Sequence, residues 1–230
     1  MLFVFNINKM KKIFLIISLL LIFIYVNAQT NVQLHYDFGK DRSLTSTVEN
    51  FTIDTYGSTY LFVDMYYDID APTMAYFEFV RELQFWKAPL SIHIEYNGGL
   101  NYISSNPNMQ FSITNAYLIG GTYTYANDNF NITASFMYKY IKNNPNPNNF
   151  QLTSVWNWNI NHYFSFNGFV DFWKEDKLSY FGSNYVFLTE PVLWYNINKS
   201  LSVGSEVEIS SNIDFEGMRI FPTLAIKYTL

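Results

Sequence analysis

From about Val32 to the end of the chain, apolar and polar residues alternate in segments that run longer than the strands of ordinary globular proteins. Val32, Leu34, Tyr36 and Phe38 interleave with Gln33, His35 and Asp37, and Leu90, Ile92, Ile94 and Tyr96 with Ser91, His93, Glu95 and Asn97. The row Ile132, Ala134, Phe136, Tyr138 and Tyr140 faces away from Thr133, Ser135, Met137 and Lys139. Phe150 to Ile160, Phe164 to Phe172, Leu201 to Ile209 and Met218 to Tyr228 repeat the pattern. A period of two is the signature of strands, because successive side chains point to opposite faces. Further strand-like stretches lie near 58–67, 74–85, 111–120 and 184–195, with a weaker one at 45–54. The sum is eleven or twelve strands, most of about nine to thirteen residues. Globular strands centre on about five or six residues, whereas a strand that crosses a bilayer needs about nine to eleven. Length therefore separates a membrane barrel from a sandwich, which alternation alone does not do. Bacterial single-chain barrels have an even number of strands, which favours twelve.

The separators fit that reading. Tyr96-Asn97-Gly98-Gly99 and the Pro/Asn run from Asn143 to Asn149 read as turns or loops, Asn161-His162 as a very short link, and Lys174 to Lys177 as a charged connection. Pro191 and Pro222 fall inside apparent strands, where proline removes a ladder donor, and so mark bulges or strand starts.

The start of the chain has a different character. Lys9, Lys11 and Lys12 precede an apolar run from Ile13 to Val26, broken only by Ser18 and followed by Asn27, Ala28 and Gln29. This is the basic, apolar and small-residue order of a signal peptide, predicted over residues 1–28 and leaving 29–230 as the mature domain. The run is short of the ~20 residues of a spanning helix. No later stretch is long and apolar enough to be one.

Composition narrows the remaining classes. Charged residues are only 14%, against roughly 25% in soluble domains, while aromatics reach 20%. Net charge is −5, so nothing in the chain is basic enough to hold a nucleic-acid backbone. There is no cysteine, which excludes disulfides, thiolate chemistry and Cys-ligated metals. The fold expected is all-β: a transmembrane antiparallel barrel of about twelve strands, in the outer membrane of a Gram-negative cell. Lipid offers no partner to backbone N–H and C=O groups, so only helices or closed barrels cross it, and this chain lacks the helices. Tyr and Trp would gather at the two interfaces, with Trp86, Tyr96, Tyr140, Trp158, Trp173 and Trp194 as candidates.

The inward rows carry the candidate functional groups. Asp64, Glu78, Glu82, His93, Glu95, Asp171, Glu190, Glu206, Glu208 and Arg219 fall on the polar side of their strands. A water-containing lumen or an internal salt-bridge network tolerates such groups where lipid would not. Acids outnumber bases, so an open path would favour neutral or cationic solutes over anions. Tyr76, Phe169, Trp173 and Trp194 share parity with polar neighbours, and flat rings beside hydrogen-bonding groups suit a nucleobase or a sugar. Arg81 falls on the opposite side, with Phe77, Phe79 and Leu83, which calls for a bulge or a place near the headgroups.

Several stretches resemble a known family. Phe51-Thr52-Ile53-Asp54, the run Gly57 to Tyr67, Tyr76-Phe77-Glu78, Arg81-Glu82-Leu83, Phe85-Trp86 and His93 to Gly99 are similar to the opening of nucleoside-specific, Tsx-like outer-membrane channels, and most closely to an uncharacterised outer-membrane branch related to them. Glu190-Pro191 and Trp194-Tyr195-Asn196 are similar as well. The likeness covers roughly residues 32–100 and thins afterwards. It implies a monomeric twelve-stranded barrel with a narrow, aromatic-lined channel for nucleosides and no cofactor. It also implies that Asp64, Glu78, Glu82 and Glu95 are candidate lumen residues.

Three other functions compete with passive passage of small solutes. A lipid-modifying enzyme needs a nucleophile beside a base; Ser91 and His93 share a face, with His35 and His162 as further bases, but no G-x-S-x-G elbow or metal cluster is present. A closed structural or adhesion barrel would have a filled lumen. A soluble glycan-binding sandwich would need no detergent.

Overall fold

A computed structural model describes residues 28–38, 43–67, 72–102, 110–176, 183–213 and 216–230. The predicted signal segment lies, but for Ala28, outside the described residues. Thirteen strand segments follow one another: β1 (Ala28–Asp37), β2 (Leu44–Asp54), β3 (Gly57–Tyr67), β4 (Pro72–Leu83), β5 (Leu90–Tyr102), β6 (Gln110–Ala126), β7 (Phe130–Ile141), β8 (Asn148–Asn159), β9 (Phe164–Lys174), β10 (Tyr185–Thr189), β11 (Val192–Asn196), β12 (Leu201–Ser211) and β13 (Met218–Thr229). β10 and β11 are two halves of one crossing, because each pairs with β9 on one side and β12 on the other. All pairings are antiparallel, and β13 returns to β1 over Asn31–Thr229 to Asp37–Thr223. The result is a closed barrel of twelve crossings.

Closure explains the side-chain pattern. The ladder satisfies its own backbone groups around the ring and leaves no sheet edge. Most outward rows are apolar and exposed: Val32 and Leu34 on β1, Ile92 and Ile94 on β5, Ile119 on β6, Phe136 on β7, Leu152 on β8, Leu224 and Ile226 on β13. Such a surface would aggregate in water, and it is the face a barrel presents to lipid. Packed residues lie inside the ring instead, in one cluster of Ala116, Leu118, Met137 and Ile141 and another of Val192, Trp194 and Ala225.

The two ends differ. At the end that holds both chain termini, connections run from two to six residues, and at the other from four to ten. The short end is built from a repeated device. Asn127, Asn161 and Asn198 each accept, on Oδ1, hydrogen bonds from two backbone N–H groups two and three residues on. This side-chain mimicry of a turn is why Asn recurs at these links. The tightest turn, between β2 and β3, ends on Gly57 at φ +135°, which an L side chain rarely adopts.

Four details depart from the sequence reading. Asn97-Gly98-Gly99 is not a turn but lies within β5, with the register against β6 shifting between Asn97 and Gly99. The weak stretch at 45–54 is a full strand, β2, laddered to both neighbours. Pro222 sits inside β13 opposite Val207, whose N–H turns to the Pro191 carbonyl at 3.1 Å. Trp173 and Trp194 are not interfacial anchors: both lie on lumen rows, and Trp194 is only 2% exposed.

Candidate functional site in the lumen

Register decides which residues meet inside. Directly opposed residues share a face, so His35 with Thr45 and Ala225, Asp64 with Thr47 and Tyr76, and Glu78 with Phe62 and Asn97 define one continuous inner surface. Followed around the ring, that parity turns Asp64, Glu78, Glu82, His93, Glu95, Asp171, Glu190, Glu206, Glu208 and Arg219 inward. Arg81 points outward. It forms a two-pronged pair with Asp54 at 2.7 and 2.9 Å beside the β2–β3 turn, at the rim where a charge remains hydrated.

One side of the inner wall is packed and pinned. Glu82 gathers Ser91 Oγ at 2.5 Å, Thr122 Oγ1 at 2.9 Å and His93 Nδ1 at 2.6 Å. The other ring nitrogen of His93 faces Glu95 Oε2 at 2.8 Å, and Asn97 Nδ2 donates to Glu95 Oε1 at 2.8 Å. This cluster decides the chemistry of Ser91. Its hydroxyl is held by a carboxylate, and both nitrogens of the nearby histidine face carboxylates, so neither is placed to take the serine's proton. Next to the cluster, Lys139 Nζ donates to Gln151 Oε1 at 2.7 Å and lies 4.3 Å from the Trp173 ring centre. Met137, Leu118 and Thr122 are almost wholly buried here.

A belt of acids lines another part of the inner wall, on β3, β4, β9 and β12 and at the β10–β11 break. Asp64, Glu78, Asp171, Glu190, Glu206 and Glu208 are only half-buried although all face inward. Glu78 lies within electrostatic range of Glu95, Asp171 and Asp64; Glu190 is within range of Glu206, Glu208, Asp64 and Asp171. Strands from both sides of the ring thus send carboxylates to one zone. Thr47 donates to Asp64 at 2.5 Å, and Thr153 donates to Asp171. Glu190 enters the belt where the tenth crossing breaks between β10 and β11, just before Pro191. Arg219 is apart from this zone, exposed near the long-loop end opposite Ser210.

Among the described residues, few cations face inward. Lys227 Nζ sits 4.2 Å from the Trp194 ring centre. The buried imidazole of His35 turns Nδ1 toward Glu206 Oε1 at 3.5 Å. Lys139, Lys227, Glu49 and Gln33 are lumen groups that the sequence reading did not single out, although parity put Lys139 and Lys227 on the polar rows. The signal that could have found them is the pairing of each lysine with a tryptophan on a nearby inward row, which only the register reveals. Among the described residues no group of three or more His, Asp or Glu side chains could hold a metal ion.

The architecture has counterparts among solved barrels. The NanC porin aligns over 87% of this chain and 100% of its own, with a TM-score of 0.59 at 10% identity. The KdgM porin aligns over 88% and 99%, with a TM-score of 0.49 at 11% identity. The Acinetobacter baumannii outer membrane protein Omp33 aligns over 89% and 98%, with a TM-score of 0.45 at 13% identity. At such identity the NanC likeness speaks for the fold alone. No curated protein matches the chain in sequence. Residues 28–230 match the model of the family described as "Domain of unknown function (DUF5020)", and the chain belongs to that family.

Proposed function

We propose that this protein is a channel of the Gram-negative outer membrane through which small solutes diffuse passively. The observation that carries the reading is the belt of half-buried acids inside a closed ring whose outer face is mostly apolar. A lumen that water enters over Asp64, Glu78, Asp171, Glu190, Glu206 and Glu208 is a path for polar solutes. The basic and apolar leader up to Ala28 would direct export. The short-turn end would then face the periplasm and the long-loop end the outside. With every strand paired, the barrel needs no second copy to close, and the reading takes it as a monomer surrounded by outer-membrane lipids.

Nucleosides are the finer proposal. They rest on the resemblance to nucleoside-specific channels and on Phe62, Tyr66, Tyr76 and Phe169, which lie on lumen rows beside the carboxylates. A second reading, a closed structural barrel, is favoured by the packed inner residues, among them Met137 at 0%, Val186 at 1% and Trp194 at 2% exposed.

Planar-bilayer recording of the purified protein tests both. A channel gives stepwise conductance that uridine or adenosine reduces when added to one chamber. A silent bilayer with correctly inserted protein removes the channel reading and leaves the closed barrel; steady conductance untouched by nucleosides removes only the finer proposal.

A further inference from the structure

A buried acceptor without a donor costs free energy, more when it is charged. Asn97 supplies one such acceptor in the lumen, beside half-buried carboxylates. Asn97 is 8% exposed, and its Nδ2 is committed to Glu95. That bond fixes which way the amide faces, and Oδ1 is left without a partner. Asn97 stands directly across the β4–β5 ladder from Glu78, so the free carbonyl belongs to the same patch of inner wall as that carboxylate. The Glu78 carboxylate accepts no hydrogen bond from any described residue, and neither does that of Glu190 at the β10–β11 break. Both glutamates lie within range of Asp64 and Asp171, which places the two ends of this unpartnered set in one field. Lys139 is the cation within reach, but its ammonium is engaged by Gln151 and the Trp173 ring.

Among the described residues, what these acceptors lack is donors that carry positive charge and are spread along the lumen. One metal ion does not fit, because no three of these groups converge tightly enough to hold it. A chain of methylenes with an ammonium at each end does fit. Each ammonium brings three donors, and the intervening methylenes suit aromatic faces such as Tyr76, which borders Glu78. We propose that the lumen holds a binding site for linear polyamines, with one ammonium at Glu78 and Asn97 Oδ1 and another at Glu190. The site deepens the channel reading by naming a substrate class, and it rests on that reading for delivery of the solute, not for binding.

Calorimetry on the full, detergent-folded protein with spermidine as the probe tests the site. Saturable binding is expected. It should weaken about tenfold or more in Glu78→Gln and in Asn97→Leu, since each removes one interaction with a charged donor. Glu216→Gln, in the exposed β12–β13 link, should bind as the parent does. Heat-modifiable gel mobility shows which variants fold, and Glu78→Gln, nearly the same shape as the parent, decides the question should Asn97→Leu fail to fold. No spermidine binding by the parent, or binding equally tight in Glu78→Gln, overturns the proposal. Binding that persists in a barrel without conductance supports the site and sinks the channel reading, whereas conductance without binding does the reverse.

Discussion

At the scale of single residues, the lumen separates groups that hold the barrel from groups that face its solvent. His93 belongs to the first kind. It bridges Glu82 and Glu95, and the three side chains are between 4% and 20% exposed. Removing one partner of a buried charged cluster leaves the others uncompensated, typically at 3–5 kcal/mol. His93→Ala should therefore lower the unfolding free energy in lipid vesicles by about 3 kcal/mol, measured by urea titration of tryptophan fluorescence. A loss below about 0.5 kcal/mol would mean that the cluster is hydrated and does not pin the wall. The Arg81–Asp54 pair is the contrast. It lies at the exposed rim, and Asp54→Asn should leave the same titration essentially unchanged.

At the scale of elements, the turns and breaks do as much as the strands. Gly57 shows why. Its φ is +135°, and a Cβ placed there would meet the Glu82 carbonyl oxygen at 2.0 Å, so the β3–β4 ladder has no room for one. Gly57→Ala should cost at least about 1–3 kcal/mol through backbone strain alone and should slow assembly of the β2–β3 hairpin. Refolding into vesicles followed by gel mobility would show it, and parent-like refolding would contradict the geometry. Much of this level could be read from the sequence. The rows of β7 and β9 alternate in sequence, and the length of most segments favoured a membrane barrel over a sandwich. β2 was faint because its outward row, Leu44, Ser46, Val48, Asn50 and Thr52, is mostly polar, and pairing on both sides carries it instead. Gly98 and Gly99 carry a turn signal, yet they are glycines because neighbours crowd them. A Cβ on Gly99 would meet the Ala75 carbonyl at 2.2 Å, and one on Gly98 the Tyr96 hydroxyl at 2.5 Å. Trp173 and Trp194 were ambiguous for a related reason: a large ring with one polar atom suits either an interface or a lumen, and only strand register chooses.

At the scale of the whole molecule, one row of side chains per strand meets hydrocarbon and the other meets water or its neighbours. The inward position of the ten candidate residues followed from parity, because the lipid-facing rows take charge only at the rim, where Arg81 and Asp54 pair. Their grouping did not follow. Which acids approach across the ring depends on how far each strand is staggered against the next, and Glu78 on β4 is far in sequence from Asp171 and Glu190. Where the packed clusters and the half-buried acids fall along the inner wall is likewise a property of the assembled barrel, and the proposed passage depends on it.

All of this requires that the ring be shut between β1 and β13. Asn31 and Thr229 face each other across that seam. Opposed strand residues have Cα atoms about 4.5–5.5 Å apart, within the reach of a disulfide. The chain has no cysteine of its own, so Asn31→Cys with Thr229→Cys introduces one isolated pair. After folding into vesicles and mild oxidation, the account predicts a disulfide within one chain, no free thiol, and a compact heat-modifiable band. Two free thiols that label with maleimide, or cross-linked dimers in place of the internal bond, would show an open sheet and contradict it.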